Sequence, residues 1–201
     1  MAKTDWKAEA KALKKQLKLL RADLGAKPAK AAKPVSPLAP ASFPKMPRIA
    51  GVEFSALGAG IKYQNRKDVM LVRLAPGTAI AGAFTRSSTR SGCVRDCQEK
   101  LASKVPADAG AAIVVNSGNS NAFTGKVGDE AVAAVTGGVA AALGIPASRV
   151  FSSSTGVIGE PLPYEKITAI IPDLVASLTE DSIDGAAAAI MTTDTHPKGA
   201  V

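Results

Sequence analysis

Aromatic side chains are scarce: five Phe, two Tyr and one Trp in 201 residues. So few rings give no stacking platform for single-stranded nucleic acid, and the core has to be packed from small aliphatic side chains. Histidine occurs once, as His196 close to the end of the chain. A Ser-His-Asp relay would have to use it, with Ser117 or a serine of 152–154, and no G-x-S-x-G elbow accompanies it. The two cysteines, Cys93 and Cys97, are too few for a disulfide framework. They can stand one turn apart on a helix, but no second ligand pair exists, so they read as structural thiols and no metal site is expected. No apolar run approaches the ~18 residues of a membrane span. The opening twenty residues have no continuous apolar stretch, and they are lysine-rich, serine-poor and interrupted by Asp5 and Glu9, unlike a secretory signal or transit peptide. These features predict a cytoplasmic protein. Glycines follow neither a Walker A pattern nor G-x-G-x-x-G, so no motif supports nucleotide binding.

What is present is unevenly distributed. The net charge of +8 invites a polyanion partner, but residues 1–48 hold 12 Lys/Arg against 3 Asp/Glu, which leaves 13 basic and 14 acidic residues in 49–201. The basic character belongs to an appendage. Within it, Trp6, Ala10, Leu13, Leu17, Leu20 and Leu24 recur at alternating spacings of four and three, a short apolar seam on a lysine-studded helix. Residues 1–24 are therefore expected to form a basic amphipathic helical arm, solvated, self-associating or polyanion-binding. Residues 25–48 mix alanine, lysine and proline, as a linker does. The body is expected from residue 49 to 201.

In the body, Ile49–Leu57, Val69–Leu74, Thr78–Phe84, Ala111–Val115 and Arg149–Ser152 carry the apolar, β-branched texture of strands. Asn116–Asn121 and Ser153–Gly156 read as polar turns following two of them. Asp129–Leu143 reads as a helix stopped by Gly144 and Pro146, and Pro163–Ser177 as a helix broken at Pro172. Ser182–Met191 is the last helix. Alternating strands and helices predict an α/β or α+β domain.

Two segments can carry chemistry. In Ser154-Thr155-Gly156-Val157-Ile158-Gly159, Thr155 offers a hydroxyl and Gly156 lets a ligand approach an unobstructed backbone N–H. A hydroxyl and a neighbouring N–H aimed at one point make an oxyanion hole, while the same residues also suit a plain strand-to-helix turn. Met191-Thr192-Thr193-Asp194-Thr195 sets three hydroxyls beside a carboxylate, fit for a polar substrate or for an ordinary helix end.

Ile113-Val114-Val115-Asn116-Ser117-Gly118-Asn119-Ser120-Asn121-Ala122, the segment Ser154 to Pro163, and Ile190-Met191-Thr192-Thr193-Asp194-Thr195 stand in this order. Together they closely resemble the ornithine acetyltransferase family of arginine biosynthesis. Gly58-Ala59-Gly60-Ile61-Lys62, Arg66-Lys67-Asp68 and Ala83-Phe84-Thr85 look like the same family's opening strands. The likeness runs from about residue 49 onward and leaves 1–48 out.

The resemblance implies a layered αββα sandwich, made as one precursor that cuts itself before a threonine into α and β chains and assembles as (αβ)2. The new N-terminal threonine of the β chain takes acetyl from N-acetylornithine and passes it to glutamate. Some members also use acetyl-CoA as donor; no cofactor is expected, and the partners are the β chain and small molecules, not nucleic acid or membrane. An N-terminal threonine can use its own amine as base. By motif match, Thr155 and Gly156 occupy the oxyanion-hole positions and Thr192 the substrate-binding position. Asp194 and Lys198 support that turn, and Asn116 and Asn119 brace the wall by hydrogen bonding. The family's self-cleavage segment falls beyond Lys198, so residues 49–201 match most of an α portion that is expected to be inactive alone. The rivals are a related self-processing aminopeptidase or amidase, which has no reason to carry the T-T-D-T motif, and a non-catalytic module whose basic arm binds an acidic partner.

Overall fold

The computed structural model describes residues 6–23, 36–106 and 108–201, in two units, Met1–Pro37 and Leu38–Val201. In the first, helix α1 spans Trp6–Asp23, where the seam predicts one, and Trp6 and Leu13 are exposed. The seam's Leu24 and residues 25–35 of the expected linker, as well as the side chains of Leu17 and Leu20, lie outside the described residues.

In the second unit, β1 (Val52–Leu57), β2 (Val69–Leu74), β3 (Ala111–Asn119) and β4 (Val150–Val157) form one sheet in that order. The pairs β1–β2 and β2–β3 are antiparallel, and β3–β4 is parallel. A parallel pair needs a crossover, which is α3 (Gly125–Leu143). Alternation decides the faces. Val69, Leu71, Ala112, Val114 and Val150 point to one side, where Val135 and Val139 of α3, Ile167 of α4 (Tyr164–Ala169) and Ile171 and Leu174 of α5 (Ile171–Ala176) bury them. Val72 and Phe54 point to the other side and meet Ala186 of α6 (Ile183–Ala189). At β1, Phe54 exchanges backbone hydrogen bonds with Thr179 of the chain that leads into α6. The remaining helix, α2 (Gly92–Ala102), packs along β4.

The mixed α/β class is as expected, and several boundaries differ. Thr78–Phe84 is not a strand. Gly82 has Phe84 and Leu101 of α2 pressed against the space a Cβ would take, so this stretch turns onto a helix and offers no sheet edge a ladder. Helix α3 begins at Gly125, four residues before its acidic start signal. Gly125 stands in the left-handed region at φ 57°, and Gly128 is dictated by packing, since a Cβ on it would fall on Thr124 Oγ1 and Asn121 Oδ1. The helix expected to break at Pro172 does break, at Ile170, and Pro172 sits in the first turn of α5, where its missing N–H costs nothing. Of the two polar turns expected, Asn116–Asn119 and Ser153–Gly156 are instead the last part of β3 and β4, and only Ser120 and Asn121 lie beyond the strand.

Candidate active site at the carboxyl ends of β3 and β4

Because β3 and β4 run parallel, their carboxyl ends open at the same edge of the sheet, where α/β folds place ligands. Asn116 pairs with Ser154, Ser117 with Thr155 and Gly118 with Gly156. Residues 116–119 are polar or glycine and all buried, and each side chain is paid for by a hydrogen bond. Asn116 Nδ2 donates to the Asn119 carbonyl at 2.9 Å, and its Oδ1 accepts from Ser154 Oγ at 2.6 Å. Asn119 Nδ2 donates to the carbonyls of Glu160 and Pro161, at 3.0 and 3.2 Å, and its Oδ1 accepts the Asn121 N–H at 2.7 Å. Asn121, in the left-handed region at φ 47°, donates to the Gly128 carbonyl of α3. The hydrogen bonding expected of Asn116 and Asn119 is thus present, and it ties the end of β3 to the loop after β4.

That loop is pinned twice more. The N–H and hydroxyl of Ser120 both donate to the Val157 carbonyl, and the Gly159 N–H donates to Ala122. Thr155 is half-buried and Gly156 exposed. Among the described residues the Thr155 hydroxyl has no hydrogen-bond partner, so it is available to a ligand. Gly156 has a reason to be glycine beyond ligand approach. Its φ is +139°, and a Cβ there would lie 2.3 Å from the carbonyl carbon of Gly118 and 2.5 Å from the Asn119 nitrogen. The two strands touch backbone to backbone, with a register shift at Gly118/Asn119. Thr155 and Gly156 therefore end a strand and do not form the free-standing turn that their composition suggests.

Thr192 comes three residues after the end of α6, in a bend. Registered side chains of neighbouring strands share a face, so Ser117 and Thr155 point the same way. Ser117 Oγ donates to the Ala189 carbonyl at 2.6 Å, which holds the end of α6 to that face. Arg66 bonds both Ser117 Oγ and the Met191 carbonyl. The structure thus brings the T-T-D-T segment to the face that carries Thr155. Asp194 pairs with Lys198, whose ammonium holds the Asp194 carboxyl below the usual carboxylate range. Both are solvent-accessible, in keeping with a surface turn held by its own ion pair.

Ser117, Arg66 and Asp68 received no role from the sequence. Asp68 is fully buried and accepts the N–H of Ala59 at 2.6 Å and of Ile61 at 2.7 Å, while its carbonyl accepts the Ser117 N–H. It folds the Gly58–Ile61 turn against β3. The only sequence signal was an aspartate directly before an apolar strand, within the Arg66-Lys67-Asp68 motif. Cys93 and Cys97 are both buried on α2, 3.3 Å from Ser154 Oγ and from the Ser152 carbonyl. Among the described residues, no cluster of His, Cys, Asp or Glu could hold a metal ion, and no helix is long and apolar enough to cross a membrane.

Fold and site together define a mixed α/β domain that presents an unpaired hydroxyl beside a glycine at the end of a parallel strand pair. The sequence pattern of the ArgJ family matches residues 53–201, and the chain belongs to that family. It is 58% identical over 159 residues to the arginine biosynthesis bifunctional protein ArgJ of Ruegeria pomeroyi, covering 79% of this chain and 38% of that protein. The ArgJ protein of Nitrobacter winogradskyi is 48% identical over 77% of this chain and 37% of its own length. The chain thus spans little more than a third of the curated relatives it matches. Among solved structures, ornithine acetyltransferase of Mycobacterium tuberculosis, complexed with ornithine, superposes with a TM-score of 0.66 at 35% identity, covering 73% of this chain and 78% of that one. ArgJ of Bacillus halodurans gives 0.64 at 32% identity, covering 73% and 74%.

Proposed function

We propose that residues 49–201 are the α portion of a self-processing glutamate N-acetyltransferase that moves acetyl from N-acetylornithine to glutamate. The observation that carries this reading is the Thr155 hydroxyl, unused within the chain, beside Gly156 and on the face that holds the T-T-D-T segment. In the proposed reaction the N-terminal threonine of a β chain attacks the acetyl carbonyl, its own amine taking the hydroxyl proton. The carbonyl oxygen becomes an oxyanion and receives the Thr155 O–H and the Gly156 N–H. Collapse breaks the C–N bond as the threonine ammonium returns the hydroxyl proton to the leaving nitrogen, which expels ornithine and leaves acetyl on the threonine. The glutamate amine then takes it by the reverse steps. Thr192 holds the substrate's polar end. The acetyl group arrives on the substrate, so the chemistry calls for no cofactor. The relatives' description as bifunctional supports acetyl-CoA as a second donor, read out by glutamate acetylation with acetyl-CoA alone. The proposed partner is the β chain, in an (αβ)2 assembly, and the proposed location is the cytoplasm, where both substrates are made available to it.

The test is Thr155→Ala in the protein assembled with its β portion. Loss of one oxyanion donor should lower kcat by about 10²–10³-fold with KM little changed. Turnover equal to the parent would remove Thr155 from the hole. Thr192→Ala should mainly raise KM, and unchanged kinetics would end its substrate role.

A further inference from the structure

We infer that Arg66 is a positioning residue, the clamp that fixes the Met191–Thr195 segment on β3 and so sets where Thr192 stands relative to Thr155. The kinetic part of this inference rests on the acetyl-transfer reading; the positional part does not.

The other arginines show why Arg66 is unusual. Arg48, Arg73 and Arg95 each pair with a carboxylate at the surface. Arg66 is half-buried, and among the described residues no carboxylate lies within 4.0 Å of its guanidinium. All its described contacts are neutral. Nη2 donates to Ser117 Oγ and to the Met191 carbonyl, Nε donates to the Lys67 carbonyl at 3.2 Å, and the guanidinium stands 4.9 Å from the centre of the Tyr63 ring. A planar fork with fixed donors suits such a task, and hydrogen bonds from a charged donor are stronger than neutral ones. Arg149 does the same work at the opposite end of the strands, where its buried guanidinium gathers the carbonyls of Thr78, Ala109 and Gly110. The difference is what each holds. Arg149 holds framework, whereas Arg66 holds the residue directly before Thr192.

The linkage to Thr155 runs through Ser117. Its buried hydroxyl donates to Ala189, accepts from Arg66, and stands in register with Thr155. The carbonyls of residues 189 and 191 are thus referenced to one strand position. Among the described residues, the segment after α6 makes no other hydrogen bond to the sheet, so these two side chains are what tie it to β3.

Arg66→Met removes the donors and keeps most of the stem. In the assembled protein, amide exchange over residues 191–195 should quicken about tenfold or more, with β3 and α3 unchanged. KM for N-acetylornithine should rise about tenfold with kcat within about twofold. Arg66→Lys, able to reach one acceptor, should fall between. Unchanged exchange over 191–195 would overturn the inference. So would faster exchange across the whole sheet, which marks a residue of the fold, or a fall in kcat at constant KM. If Arg66→Met folds poorly, Ser117→Ala carries the same comparison. If the parent shows no acetyl transfer while exchange responds as expected, the functional reading fails and the clamp stands.

Discussion

The two halves of the β3–β4 pair are built on opposite principles. In the first halves, Ala111–Val115 and Val150–Phe151, nearly every side chain is apolar, and α3 packs over those that face it. Burial of apolar area holds this part, at roughly 25 cal/mol per Å², and many shape-compatible side chains would serve. In the second halves, Asn116–Asn119 are buried through amides, a hydroxyl and glycine, while Ser154–Val157 beside them are half-buried or exposed. Each buried polar side chain of Asn116–Asn119 needs a particular partner at a particular distance, so little substitution is tolerated there. The same two strands first build a core and then hold a site. The cost of the second half is recovered as position: a hydroxyl left over at Thr155, with the surrounding groups already committed.

The widest gap between the halves should appear at Gly156. Gly156→Ala asks for φ +139° from a residue with a Cβ and sets that Cβ inside the Gly118–Asn119 peptide. Strain of this kind costs about 1–3 kcal/mol before the clash is counted, so urea denaturation should show a loss of about 3 kcal/mol or more, with exchange at residues 118–120 quickened. A variant as stable as the parent would mean that the strands part easily there and that glycine serves only the ligand.

A smaller contrast sets a polar truncation against a mild apolar one. Asn116→Ala leaves the Ser154 hydroxyl and the Asn119 carbonyl without their partner, which should cost about 1–3 kcal/mol. Ile113→Val in the first half removes one methylene and should cost about 1 kcal/mol. If the two melt alike, the polar half is as forgiving as the apolar one and the contrast collapses.

This division also explains what the sequence made legible. Periodicity and β-branching locate Val69–Leu74 and Ala111–Val115, because those residues are chosen by apolar burial, the signal such reading detects. The same rules end β3 at Val115 and β4 at Ser152, since Asn, Ser and Gly are turn residues wherever their side chains are free to bond locally. Here they bond locally, Asn116 to Asn119 and Asn119 to Asn121, and also at long range to Ser154, Glu160 and Pro161, and no local pattern records the long-range bonds. Thr155, Gly156 and Thr192 stood out through motif resemblance, and composition allowed the site and an ordinary turn alike. Arg66 and Ser117 stand in motifs, but their positioning role stayed unread because its bonds span separations of 51 to 125 residues.

Cys97 gives the finest test, since it lies where the two halves meet, against the Ser152 carbonyl. Burial pushes its thiol above the ordinary value and the nearby Asp96 and Cys93 push the same way, while the Ser152 backbone bond and, less, Lys100 pull against them. A group whose acid form is favoured by folding binds its proton in the native state after the unfolded chain has released it. Its stabilising effect is whole below the unfolded thiol pKa of about 8.5. It falls as pH climbs through that value, and levels off above the folded one. The parent should therefore lose more stability between pH 7 and pH 10 than Cys97→Ala does, whatever the absolute difference between them at pH 7. Parallel losses in the two proteins would show that water already reaches the thiol. The boundary between the apolar and polar halves would then be wetter than its packing indicates, and the site's wall would begin one residue pair earlier on each strand.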